Sequence, residues 1–403
     1  MDYISTKEAA DTWGVSLRYV QKLIADGRIS GAKKYGGSYF VPAGSEKPIN
    51  ARKARKQPPK GTPFTLPRQC PVLLMTTLYN APGSGGAVTA SLAGDPSAEK
   101  LFTAQFAYFR GKTEEAARLA EELLMESGAA DLRLGCGFVL CLSAMYAGDA
   151  DAWTSAYDMI KHIPCKSASD EALRDFLLAN VDSGLYDKSS VPIWFQQGDF
   201  TSLPGDCFPL ARMLYLKYLL LDRGDPSISV MCGPLISQCQ LEGALLAEIY
   251  CRLLTAIGFH DRGNNERAAE YIDAAIALAL PDRLYAPLAE ERGELGVLLD
   301  ERLSLADKDA ARAVRELQKR LMTGWSALQE QLKGRTYALD LTPREHHAAK
   351  LAAKGLTNAE IAERMGVSVN SVKRYIAEAV SKTGASSRAE LADYIALEGE
   401  TLP

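Results

Sequence analysis

The chain has 403 residues, enough for two to four domains each with its own core, and its 47% hydrophobic and 24% charged residues are ordinary for a globular protein. No uninterrupted run of about 18 apolar residues occurs, so a membrane span is not expected. The opening Met1-Asp-Tyr-Ile-Ser5 lacks the basic and then apolar build of a secretion signal, which makes the cytoplasm the expected location. The net charge of −4 conceals an asymmetry: residues 1–61 carry +7, residues 62–339 carry −10 and residues 340–403 carry −1. A basic end on an acidic body suggests a polyanionic partner met by one part of the chain.

From the N-terminus, Ser5-Thr-Lys-Glu8 is a capping box, in which hydroxyl and carboxylate satisfy each other's backbone amides. The helix it opens is closed by Gly14-Val-Ser16. A second helix, Leu17–Asp26, ends at Gly27 and carries an apolar stripe of Leu17, Val20, Leu23 and Ile24. Two short alternating runs around Gly36-Gly37 then predict a hairpin with a primed turn. A small, basic, aromatic hairpin after such a helix reads as a wing. Ser16 of the turn and Arg18, Tyr19, Gln21 and Lys22 of the helix are candidate DNA-binding residues, with Lys33, Lys34 and Ser38 as candidate phosphate contacts. The segment resembles the MerR/excisionase-like winged helix domain, and the trailing Lys47-Pro-Ile-Asn-Ala-Arg-Lys53 suits that group. A helix-turn-helix unit that holds protein rather than DNA is the alternative.

Residues 51–95 read as a basic, Pro/Gly-rich linker, including the loop Ala81-Pro-Gly-Ser-Gly-Gly86, which lacks the Lys-Ser/Thr ending of a phosphate loop. From about 96 to 335 the pattern is helical with short Gly, Asp and Pro breaks. Gly111-Lys-Thr-Glu114-Glu-Ala116-Ala117 matches Gly263-Asn-Asn-Glu266-Arg-Ala268-Ala269, and weaker copies begin at Gly148 and Gly224. The spacing fits a period near 38 residues with one degenerate member. Helix pairs of this kind bury their apolar faces by stacking into an α-solenoid, and the pattern resembles degenerate tetratricopeptide (TPR-like) repeats. An irregular helical bundle is the alternative. The eight cysteines, at 70, 136, 141, 165, 207, 232, 239 and 251, show no Cys-x-x-Cys pair and read as reduced core residues.

Residues 336–403 carry three capping boxes, Thr342-Pro-Arg-Glu345, Thr357-Asn-Ala-Glu360 and Ser387-Arg-Ala-Glu390, with Pro343 at a first helical position. Met365-Gly-Val-Ser368 predicts a tight turn between the second and third of four helices. The third, about Val369 to Thr383, points Val372, Ile376 and Val380 inward and Asn370, Ser371, Lys373, Arg374 and Ala377 outward. Lys373 and Arg374 suit guanine edges or phosphates, Asn370 and Ser371 short polar contacts; a merely solvated charged face is the bland alternative. Leu341-Thr-Pro-Arg-Glu345, Gly355–Ser368, Ser371-Val-Lys-Arg374 and Ser386-Ser-Arg-Ala-Glu-Leu391 resemble the LuxR-type DNA-binding domain. The resemblance implies that Lys373, Arg374 and Tyr375 face the groove, that Thr357, Asn358 and Arg388 lie near the backbone, and that the fourth helix dimerises. His346-His347-Ala-Ala departs from the family's larger aliphatics; adjacent helical histidines diverge and do not suit a metal.

Four histidines without metal spacing, no Gly-x-Ser-x-Gly elbow and no phosphate loop argue against an enzyme, and no cofactor is called for. The acidic pair Glu290-Glu291 sits on a helical run and reads as a solvated face. The expected architecture is mainly α: an N-terminal winged helix-turn-helix (1–50), a linker (51–95), a central TPR-like α-solenoid (96–335) and a C-terminal four-helix LuxR-type unit (336–403). The expected function is bacterial transcription regulation on double-stranded DNA, as a homodimer, with a small ligand or a protein partner at the repeat domain. Two alternatives stay open. One is a repeat-based adaptor whose terminal units no longer read DNA; the other is a recombination directionality factor, against which the long repeat body argues.

Overall fold

In this computed structural model the described residues are 3–45, except 14, 16, 26–28, 30, 36–37 and 44; residue 75; and 78–391, except 127–128, 185–190, 224–227, 334–340, 342, 366 and 384. The chain divides into two units, residues 1–60 and 61–403. In the first, β1 (Tyr3–Ser5), α1 (Thr6–Trp13), α2 (Leu17–Ala25), β2 (Lys33–Tyr35) and β3 (Ser38–Pro42) form two helices and an antiparallel sheet of order β1-β3-β2. Glu8 accepts from Ser5 N at 2.7 Å and its own amide meets Ser5 Oγ at 3.2 Å, so the capping box forms. The hairpin pairs Lys34 with Tyr39 and Tyr35 with Ser38. The strand β1 was not legible: three residues are too short for a period, and Ile4 pairs with Val41 across 37 positions. The core is small, with Ala9, Ala10, Val20, Leu23, Ile29 and Val41. Leu17, expected in the apolar stripe, is instead 43% exposed, because at the first position of α2 it lies beyond the reach of that core.

The second unit is built from helices whose ends repeat one device. Lys112 N donates to Ala107 O at 2.9 Å, Asp149 N to Ala144 O at 3.3 Å and Asn264 N to Phe259 O at 2.9 Å, each bond wrapping a glycine at φ +80°, +63° and +77°. Asp149 and Asn264 then cap the next helix by accepting from Ala152 N and Arg267 N. The helices are α3 (Gly85–Ser91), α4 (Pro96–Phe109), α5 (Thr113–Glu126), α6 (Ala130–Ala147), α7 (Ala150–Lys161), α8 (Ala168–Gly184), α9 (Ile193–Gln196), α10 (Phe208–Arg223), α11 (Ile228–Glu242), α12 (Leu245–Asp261), α13 (Asn265–Ala279), α14 (Tyr285–Ala306) and α15 (Lys308–Lys333). Successive helices pack as pairs, and one contiguous core runs from Met75 to Leu328. α6 is long and apolar enough to cross a membrane, yet 72% of it is buried among its neighbours, as befits a core helix.

Three expectations need revision. Nearest-neighbour stacking is incomplete, because α15 returns to pack on α6 and α14 reaches α4. A side-chain carbon on Gly324 would meet Met145 O at 2.2 Å, so the α15–α6 approach depends on that glycine. The weaker repeat copy at Gly224 lies outside the described residues. Residues 78–95, read as linker, belong to the body: Tyr79 is fully buried and its hydroxyl donates to Asp282 at 2.6 Å, while Asp95 caps α4. Glu290-Glu291 is no solvated face, since α14 is packed against α12, α13 and α15 and Glu291 is buried.

α14 also breaks its own ladder. Gly296 sits at φ 53°, ψ −131°, a conformation open to glycine and forbidding to other residues. The C-terminal segment follows with α16 (Pro343–Ala353), α17 (Asn358–Met365) and α18 (Val369–Thr383), around a separate core that includes Leu341, Ile361, Val372 and Ile376.

Candidate nucleic-acid interface

Two helix-turn-helix corners close by the same bond. Val15 N donates to Ala10 O at 3.0 Å between α1 and α2, and Val367 N donates to Ala362 O at 3.0 Å between α17 and α18. The reciprocal Thr357–Glu360 box opens α17, with Thr357 N to Glu360 Oε2 at 2.7 Å. Ser368 Oγ caps α18 by accepting from Ser371 N at 3.0 Å. Arg388 donates to Asn358 Oδ1 and to Leu356 O, which ties two of the expected backbone-side residues together at the start of α17. The third box forms by half: Glu390 N donates to Ser387 Oγ at 3.4 Å, while the Glu390 carboxylate accepts from Ser386 N at 2.7 Å rather than from Ser387 N. Thr342 and residues 392–403, which hold the rest of the fourth helix expected to open at the Ser387–Glu390 box, lie outside the described residues.

The outward face of α18 divides. Asn370, Lys373 and Ala377 are exposed, as is Thr357. Ser371 and Tyr375 are buried, and Arg374 is half-buried, all turned toward the helical body. The C-terminal residue of α12 receives them: Asp261 O accepts from Ser368 N at 2.7 Å and from Ser371 Oγ at 2.8 Å. The Asp261 carboxylate accepts from Tyr375 Oη and pairs with Arg344 of α16. Arg344 Nη1 also lies 3.3 Å from Tyr375 Oη, and its Nε lies 3.5 Å from Glu294 Oε2. Arg374 stacks over the Tyr375 ring at 4.9 Å and donates to Glu294 O at 3.4 Å, beside the break at Gly296.

These charges are held out of water. Asp261 is 3% exposed, Arg344 5% and Glu294 7%. Burial, with Glu345 and Glu291 nearby, pushes the Glu294 carboxyl up to about 8, against the opposing pull of Arg374 and Lys382. Burial and the charges of Arg374 and Arg344 push His260 down. Burial also pushes the Tyr375 phenol up. Glu345 is spoken for by Lys382 at 2.8 Å within the C-terminal segment.

At the N-terminus, Arg18, Gln21 and Lys22 are exposed along α2, Lys33 and Lys34 on β2, and Ser38 on β3. Lys33 lies over the Tyr3 ring at 5.2 Å and Lys34 over Tyr39 at 5.3 Å, which steadies both ammonium groups at the surface. Ser16 and the side chain of Tyr19 lie outside the described residues.

Sequence reasoning missed Asp261, Arg344 and Glu294. The available signal was Gly293-Glu-Leu-Gly296, two glycines three apart inside a helical run, which marks a break with a packing or functional cause.

Residues 339–395 match the family described as bacterial regulatory proteins, luxR family. Over 63 residues the chain is 41% identical to the "Response regulator Rre1" of Synechocystis sp., covering 16% of this chain and 27% of that protein. Over 71 residues it is 34% identical to the "Probable transcriptional regulator ycf29" of Cyanophora paradoxa, covering 18% of this chain and 33% of that protein. The match thus spans about a third or less of the length of these curated relatives. No solved structure matches. The C-terminal segment is a LuxR-type helix-turn-helix domain.

Proposed function

From that domain, we propose that the protein is a DNA-binding transcription regulator in which α18 reads the major groove of duplex DNA. The observation that carries the reading is the LuxR-type match over α16–α18, joined to an α18 that presents Asn370 and Lys373 to solvent. Arg374, Tyr375 and Ser371 join the reading face once α18 leaves the body; in the docked arrangement Asp261 and Glu294 occupy them. Docked and released forms are then the two states of a switch, with the helical repeat body as sensor or docking platform. Thr357, Asn358 and Arg388 serve the DNA backbone, and the protein acts on DNA as a homodimer. The N-terminal unit is a winged helix of the MerR/excisionase type, with Arg18, Gln21, Lys22, Lys33 and Lys34 as a second DNA contact.

Selection from random duplexes tests this, using the full-length chain carrying Asp261→Ala, which removes the carboxylate that holds Tyr375 and Arg344 and so weakens the docked form. An enriched sequence is expected, with affinity that falls steeply as salt rises and drops several-fold on Lys373→Ala. Failure to bind any duplex at low ionic strength would overturn the reading. The adaptor alternative draws support from the burial of Ser371 and Tyr375. It requires binding to a protein with little salt dependence and no sequence choice.

A further inference from the structure

Behind Glu294 the helical body holds a cavity of about 190 Å3, beside a smaller one of about 90 Å3 that Tyr108, Lys217 and Glu290 also line. A space of that size exceeds what one or two ordered waters fill. Its lining includes the aromatic residues Tyr108, Phe176, Phe195, Tyr218 and Trp325, with Phe195 in edge contact with Tyr218 at 6.0 Å. An acidic wall is formed by Glu290, Glu291 and Glu294 of α14.

The polar groups of this wall are unequally satisfied. Glu290 accepts from Tyr108 Oη at 2.9 Å and from Tyr250 Oη at 2.7 Å. Glu291 is paired with Lys217 at 2.6 Å, and Lys217 is the one cationic residue lining this cavity among the described residues. Neither carboxylate oxygen of Glu294 accepts a hydrogen bond, although its side chain is 9% exposed, and its ion-pair partner is Arg344 Nε at 3.5 Å. A buried carboxylate without donors is costly. Two kinds of group relieve it: a donor cation at the carboxylate, and aromatic faces that favour that cation in the same cavity.

We propose that this cavity binds a small organic cation, an amine or guanidinium carrying an apolar group, with its charge on Glu294 and its apolar part against the aromatic residues, and that its binding releases α18. The ligand and Arg344 compete for one carboxylate, so the ligand loosens the contact that holds the reading helix. The same Glu294 lends its carbonyl to Arg374, and the Gly296 break beside it lets the α14 segment shift without carrying a continuous ladder. By linkage, any change that frees α18 tightens the ligand by the same factor. An anion is disfavoured, because Lys217 is already taken by Glu291. The release step rests on the reading of α18 as the DNA-contacting helix, but the site and the undocking are measurable without DNA.

The full-length chain is titrated calorimetrically with 2-phenylethylamine and, as a charge-reversed partner of similar size, 3-phenylpropionate. Backbone hydrogen exchange over residues 368–376 is followed in parallel. Saturable binding of the amine is expected, at least tenfold tighter than the carboxylate, together with faster exchange over 368–376. Glu294→Gln and, independently, Met322→Trp, which fills the cavity from its half-buried wall, should each weaken the amine at least tenfold while the chain keeps its cooperative thermal unfolding. Equal binding of both probes, binding of neither, or amine binding that survives both substitutions would overturn the site. Amine binding with unchanged exchange over 368–376 would overturn the coupling. If both signals appear and no duplex is bound in any state, the reading of α18 fails while the ligand site stands.

Discussion

The two helix-turn-helix corners are built alike and treated differently. Both open with a hydroxyl–glutamate box and both close with a valine amide returning to an alanine carbonyl five residues earlier. α2 keeps Arg18, Gln21 and Lys22 exposed, whereas α18 turns Ser371 and Tyr375 inward onto Asp261. Local chemistry therefore makes the motif, and long-range polar contacts decide whether its face is available. The buried cluster of Asp261, Arg344 and Glu294 is poorly suited to adding stability, since desolvation offsets much of the attraction. It suits a contact that must be specific and reversible.

Arg344 separates the two corners most sharply. Replacing it by methionine leaves Asp261 buried without its cation, which costs the docked arrangement about 3–5 kcal/mol. Hydrogen exchange over α18 should then rise to the level of an undocked helix, while exchange over α2 stays unchanged. Protection of α18 equal to wild type would show that the polar cluster does not hold it.

A pH titration comes next. Glu294 has a carboxyl raised from 4.5 to about 8 in the folded chain, so its protonated form favours the folded state. That contribution is complete below about 4.5 and is lost as pH rises toward about 8. His260 acts in the opposite sense: its value is lowered from 6.5, so charging it weakens the folded state as pH falls below 6.5. Between pH 6.5 and 8 Glu294 governs, and the stability of the second unit in urea unfolding should fall with rising pH. Glu294→Gln should flatten this limb; an unchanged slope in that variant would exclude Glu294 as its source.

Smaller effects follow from the backbone. Gly296→Ala forces a side chain into φ 53°, ψ −131° and should destabilise the second unit by about 1–3 kcal/mol in urea unfolding. Ser5→Ala and Thr357→Ala remove equivalent caps and should each cost about 1 kcal/mol, the first in residues 1–60 alone and the second in the C-terminal domain. Unequal costs would mean that docking, and not local capping, sets the stability of the C-terminal corner.

How much of this was legible in the sequence depends on the range of the interaction. α18 begins at Val369 and ends at Thr383, as hydrophobic spacing and the Ser368 cap indicate, and the Gly36-Gly37 hairpin pairs as alternation predicts. These are local signals. The role of α14 was illegible because a Glu-Glu pair on a helix looks the same whether water or protein lies beyond it. The docking contact joins Asp261 to residues more than 80 positions away, and no period or spacing encodes such a meeting. Residues 78–95 misread for a related reason: their small residues signal a loop, and only the burial of Tyr79 reveals that they are packed.

The Asp261 carboxylate holds Tyr375 of α18 and Arg344 of α16 against the helical body. Duplex affinity of the full-length wild type against Asp261→Ala, measured by fluorescence anisotropy on one selected sequence at fixed salt, tests it most directly. Release of α18 predicts at least tenfold tighter binding by Asp261→Ala, with Lys373→Ala cancelling much of the gain. Equal or weaker binding by Asp261→Ala, in a chain that unfolds with wild-type cooperativity, would contradict the claim.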